Sequence, residues 1–91
     1  MIKGVKVFQP DIFSDHRGDL WTIWKSNDFD LKFNHDKVST SKKNVLRGIH
    51  GDEKSWKLAT CLFGELYFVV VNPITKEWSS LILSDKNKKI I

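Results

Sequence analysis

Arginine is scarce in this chain. Arg17 and Arg47 are the only two among 15 basic residues, and a glycine follows each. The planar guanidinium offers phosphate or carboxylate a bidentate fork that an ammonium lacks. A glycine beside it lets a ligand or a second backbone come close. The second pair opens Arg47-Gly48-Ile49-His50-Gly51-Asp52. In a regular strand Arg47 and His50 would face opposite sides, whereas a bend at Gly48 would aim both inward. Histidine titrates near neutrality and can serve as a general base. The same residues also read as a turn with a surface arginine and a structural histidine, and residue types alone leave both open. His16 and His35 have no comparable surroundings.

A metal site can be tested on ligand count. His50-x-Asp52 has the spacing of a facial triad, which needs a second, distant histidine. No histidine follows position 50. His16 or His35 could supply it only by folding back, so the expectation is no metal; no other cofactor is expected either. Lys57 leads into Leu58-Ala59-Thr60-Cys61, where it either snorkels at a strand end or holds charge over a site. Trp21, Trp24, Trp56 and Trp78 either pack a core or stack on a base or sugar.

These residues need elements to position them, and the pattern reads as strands. Val5 to Phe8 is extended and stopped by Pro10. Leu20 to Lys25, Asp28 to Phe33 and Val38 to Lys42 alternate with period two. Leu58 to Phe63 and Leu66 to Val71 are apolar runs on either side of Gly64. They predict a hairpin over 57–71 turning at Gly64, with Leu66 to Val71 buried on both faces. Trp78 to Leu83 supplies one more strand. No apolar stripe of helical period is sustained. The architecture expected is all-β, with about seven short strands in a sandwich or barrel.

Ninety-one residues allow one domain, and a net charge of +4 with 41% hydrophobic residues argues against wholesale disorder. Leu66 to Val71 is the longest apolar run, too short to span a bilayer. Cys61 is the single cysteine and Met1 to Lys6 has no signal-like apolar stretch, which points to the cytoplasm. The basic excess falls in residues 36–91 and includes Lys86-Asn87-Lys88-Lys89. It invites a nucleic-acid reading, against which stands a simple solvated surface. Ile90-Ile91 would suit the start of a further strand.

Four motifs, in order, resemble one family. Asp15-His16-Arg17-Gly18-Asp19-Leu20 resembles the Asp-x-Arg-Gly-x-Phe motif of dTDP-4-dehydrorhamnose 3,5-epimerases. Val38-Ser39-Thr40-Ser41 is similar to its Ser-x-Ser segment. Leu46-Arg47-Gly48-Ile49-His50 resembles Leu-Arg-Gly-Leu-His. Trp56-Lys57-Leu58 and Gly64-Glu65-Leu66 resemble its Lys-Leu-Val and Gly-Glu-Val stretches. The resemblance implies a metal-free, cupin-like β-jelly roll, incomplete at the C-terminus, with residues 1–91 forming a single partial domain. It implies an isomerase that removes a proton beside the ketone of a dTDP-4-keto-6-deoxysugar. His50 would be the base and Lys57 the charge near the enolate. Arg17 and Arg47 would bind the substrate diphosphate. The family also implies a homodimer that exchanges its N-terminal strand, so that Arg17 serves a neighbour's site. Its Pro-Pro-Gly segment, its tyrosine acid and the aspartate orienting the base would fall after Ile91, so the chain alone is expected to turn over weakly. Two rivals stand beside this reading. One is a non-catalytic nucleotide-sugar-binding or oligomer-forming cupin, and the other is a basic barrel that binds single-stranded nucleic acid.

Overall fold

His16 and Arg17 alone separate the first two strands. Ile12–Asp15 (β1) pairs antiparallel with Gly18–Trp21 (β2), with Asp15 opposite Gly18 and Ile12 opposite Trp21. Gly18 closes the turn at a φ of +131°, where a Cβ would be strained. The computed structural model describes residues 1–26, 28 and 30–91. Among the described residues there is no helix, so the all-β expectation holds.

Glu65–Val71 (β3) pairs antiparallel with Trp78–Ser84 (β4), from Glu65 opposite Ser84 to Val71 opposite Trp78. The expected hairpin over 57–71 is therefore corrected. The turn lies at Asn72-Pro73-Ile74-Thr75-Lys76. The Asn72 side chain accepts from the amides of Ile74 and Thr75 at 2.9 and 3.2 Å, and its carbonyl accepts from Lys76 N at 2.9 Å. Asparagine followed by proline starts such a turn well, because the amide side chain mimics a backbone acceptor. Gly64 instead pairs with Asp85: Gly64 N donates to the Asp85 carboxylate at 2.9 Å and Asp85 N donates to Gly64 O at 3.0 Å. A run that is apolar on both faces carries no period to name its partner, and the seven residues of β4 match β3 in length.

The register also corrects the expected burial. Tyr67, Val69 and Val71 share a face with Ile82, Ser80 and Trp78. On that face Tyr67 and Trp78 are each 62% exposed. The opposite face carries Leu66, Phe68 and Val70 against Leu83, Leu81 and Ser79, and Leu83 is fully buried.

Ile90 is paired on both edges, antiparallel to Phe8 and to Thr60. Phe8 N donates to Ile90 O at 2.7 Å and Ala59 N donates to Ile91 O at 2.8 Å. Both isoleucines are buried, so the β-branched pair does sit in extended pairing. Leu58 to Phe63 enters this pairing through Ala59 and Thr60 and forms no longer strand. Val5 to Phe8 likewise contributes one bridge. Among the described residues, 22–25, 28, 30–33 and 38–42 form no strand, and the Phe29 of one expected edge lies outside them.

The turn after β4 is built on Asn87. Its side-chain oxygen accepts from Ser84 N and Lys89 N at 3.1 and 3.0 Å, and its amide group donates to Ile82 O at 2.8 Å. Contacts divide the chain into two units, Met1–Lys25 with Leu58–Ile91, and Ser26–Lys57. Among the described residues no helix is long and apolar enough to cross a membrane.

Candidate functional site

Arg47, Gly48, His50 and Lys57 all belong to the unit Ser26–Lys57. Gly48 takes a φ of +106°, so the backbone leaves an extended path between Arg47 and His50. Arg47 folds back onto the serine-threonine segment. Its Nε donates to Ser41 Oγ at 2.7 Å and its Nη2 donates to Thr40 O at 3.0 Å. Two of the five guanidinium N–H donors are thereby fixed. Ser41 and Thr40 stand out in the sequence only through the family motif they belong to.

Asp52 organises the loop that follows His50. One carboxylate oxygen accepts from Lys54 N at 2.9 Å and Ser55 N at 2.6 Å. The other lies 3.7 Å from Lys57 Nζ. The amide of Lys54, then Ser55, and after them the Lys57 charge hold the Asp52 carboxyl below its usual pKa. Asp52 is thus a charge partner of Lys57. In the sequence Asp52 draws notice through its His-x-Asp spacing to His50, which carries no hint of the contact with Lys57. Among the described residues, no three His, Cys, Asp or Glu side chains gather where a metal ion could sit. No hydrogen bond or ion pair among the described residues joins Arg47, His50 and Lys57 to one another.

Arg17 lies in the other unit, at the tip of the β1–β2 hairpin. Its Nε and Nη2 donate to one Asp15 carboxylate oxygen at 3.0 and 2.6 Å, and its backbone N donates to the other at 2.8 Å. These Arg17 bonds, the side-chain one first, hold the Asp15 carboxyl below its usual pKa. An open depression of about 380 Å³ runs along this hairpin, with Arg17, Asp15 and Phe13 in its wall.

The strand β2 is anchored from below. Lys88 Nζ lies 3.4 Å from Asp19 Oδ2, donates to Asp85 O at 2.6 Å and stands over the Trp21 ring. Ser14 Oγ donates to Asp19 Oδ1 at 2.5 Å. The Ser14 bond and then Lys88 lower the Asp19 pKa. Lys88 is buried, so the run Lys86 to Lys89 is no uniform basic patch. A composition-based reading has no signal for that difference.

The family model for dTDP-4-dehydrorhamnose 3,5-epimerase matches residues 1–91. A dTDP-4-dehydrorhamnose 3,5-epimerase of Salmonella typhimurium (strain LT2) is 33% identical, covering 97% of this chain and 56% of that protein. The epimerase of the same name from Escherichia coli (strain K12) is 31% identical, over 97% of this chain and 55% of its own length. One from Methanothermobacter thermautotrophicus is 28% identical, with 97% and 54% covered. The chain thus spans about half the length of the curated relatives it matches. No solved structure matches it. The all-β strands fit the cupin-like fold of the family whose model covers every residue, and the chain belongs to the dTDP-4-dehydrorhamnose 3,5-epimerase family.

Proposed function

We propose that this chain supplies the base-bearing portion of a nucleotide-sugar epimerase, acting on a dTDP-4-keto-6-deoxysugar. The observation that carries the reading is the family match over residues 1–91, which includes the Arg47-Gly48-Ile49-His50 motif. A ketone acidifies the protons on its neighbouring carbons when the enolate oxygen is stabilised. His50 removes such a proton as general base. Lys57 places positive charge near the developing enolate, and Asp52 holds that ammonium. Arg47 takes the diphosphate of this chain's substrate and Arg17 that of a neighbouring chain's, each through guanidinium N–H groups. In this reading Arg47, His50 and Lys57 of the unit Ser26–Lys57 turn to one substrate, with Arg47 released from Thr40 and Ser41, and no metal or other cofactor takes part.

Residues 1–91 act in this reading as one partial cupin domain of a cytoplasmic homodimer with exchanged N-terminal strands. The exposed Tyr67 and Trp78 face supports association, since an apolar sheet face of this kind gains by being covered. Lys88, buried among Asp85, Asp19 and Trp21, subtracts from the basic surface that nucleic-acid binding would need.

The test is solvent deuterium exchange into a dTDP-4-keto-6-deoxysugar. Exchange that disappears in His50→Asn is the expected result. Binding without exchange would replace the epimerase reading with that of a non-catalytic nucleotide-sugar binder.

A further inference from the structure

Arginine carries two bidentate edges, one formed by Nε and Nη2 and the other by Nη1 and Nη2. At the β1–β2 tip the first edge is taken by Asp15, at 3.0 and 2.6 Å. The second edge carries no hydrogen bond among the described residues, and the Arg17 side chain is 80% exposed. The Arg17 backbone amide also donates to Asp15, so the two residues close on each other at three points. The nearby Asp19 is engaged with Ser14 and Lys88 and does not compete for the guanidinium.

We infer that Asp15 is a positioning residue, which holds the Arg17 guanidinium so that its outer edge is presented to an anion, the diphosphate of a nucleotide sugar. The inference rests on the functional reading above and adds a residue to it. An ion pair this exposed contributes little to stability, and its effect is conformational. Without it, a long side chain must be ordered when ligand binds, and that ordering costs affinity. Asp15 also places a negative charge close to the bound anion. Charge alone would make removal of Asp15 tighten binding, whereas positioning makes the same removal weaken it. The sign of the change decides between them.

The test titrates the whole 91-residue chain with dTDP at low salt. Asp15→Asn keeps an oxygen for the Arg17 backbone amide and loses the charge-assisted grip on the guanidinium. It should bind dTDP about three- to tenfold more weakly than the unsubstituted chain. Asp15→Glu, which restores the carboxylate, should recover part of that loss. Asp11→Asn removes an equal charge just before β1 and should not weaken binding. The Arg17 Nε–H resonance should be ordered in the unsubstituted chain and mobile in Asp15→Asn, with both chains fully folded at the titration temperature. Binding that is unchanged or tighter in Asp15→Asn would overturn the inference and leave the functional reading standing. An Arg17 Nε–H that is already mobile in the unsubstituted chain would also overturn it. Absence of dTDP binding by the unsubstituted chain would overturn the functional reading and the inference with it.

Discussion

The ammonium of Lys88 stands 4.8 Å from the centroid of the Trp21 ring. One residue comes from β2 and the other from the turn after β4, so this contact ties the hairpin bearing Arg17 to the end of the chain. Lys88 adopts a φ of +55°, which lysine rarely does. The backbone is held there by Lys88 N donating to Ser84 O at 2.9 Å. Its charge is offset by the Asp85 carbonyl, the Asp19 carboxylate and the aromatic face.

Lys88→Met keeps the aliphatic stem and removes the charge. It should destabilise the chain by about 1–2 kcal/mol, the scale of a desolvated cation–π contact. The expected reading is a lower urea midpoint at unchanged slope, with a shifted Trp21 signal. An unaltered midpoint would mean that Lys88 merely fills space.

Asn87→Asp tests the turn that delivers Lys88. The substitution is nearly isosteric, but it sets a carboxylate oxygen where Asn87 Nδ2 now donates to Ile82 O at 2.8 Å. Losing that donor against a carbonyl should cost about 1–3 kcal/mol near neutral pH, and acid should restore part of it by protonating the new carboxyl. Equal stability of the two chains across pH would refute the role of this bond.

Acid stability follows from Asp15, Asp19 and Asp52, each held below the ordinary aspartate value of 3.8 by hydrogen bonds or lysine charge. A carboxyl whose folded pKa is depressed stabilises the fold fully above the unfolded value. That contribution is lost as pH falls from 3.8 through the folded value. The melting temperature should therefore be insensitive to these groups above about pH 5 and fall below about pH 4. Replacing all three by asparagine should flatten the acid limb. A limb that keeps its slope would assign the acid loss to other groups.

Gly48→Ala separates strain from crowding. A Cβ at Gly48 would meet His50 N at 3.6 Å, an ordinary contact, while the φ of +106° penalises any side chain. A loss of about 1–2 kcal/mol is expected, and with it a displaced His50. The deuterium exchange proposed for His50 should fall with stability held constant in osmolyte. Undiminished exchange would show that the bend at Gly48 does not aim the base.

Trp78→Lys addresses association. Trp78 and Tyr67 project from the uncovered face of the β3–β4 pair. If that face mediates self-association, sedimentation should show the variant shifted toward monomer, with melting no longer dependent on concentration. A variant as associated as the unsubstituted chain would exclude this face.

The candidate site residues are legible without any fold. Arg17, Arg47, His50 and Lys57 stand out by residue type, by the glycines beside the arginines and by motif order. The strand character of Leu66 to Val71 and Trp78 to Leu83 followed from β-branched and apolar runs, which propensity and period read locally. Partner choice was not local. Nothing in Leu58 to Phe63 says that Ala59 and Thr60 pair with Ile90-Ile91 while β3 pairs with β4, because a run apolar on both faces accepts many partners. Fine electrostatics were equally hidden. Asp15 grips Arg17 from two residues away, and Asp52 reaches Lys57 across a turn. Lys88 is buried while Asn87 and Lys89 are not, because its own left-handed backbone after β4 accompanies an ammonium set against Asp19 and the Trp21 ring. Sequence names which groups are charged, whereas only the folded backbone sets which charges meet, since ion pairs and burial depend on distances that chain order does not contain.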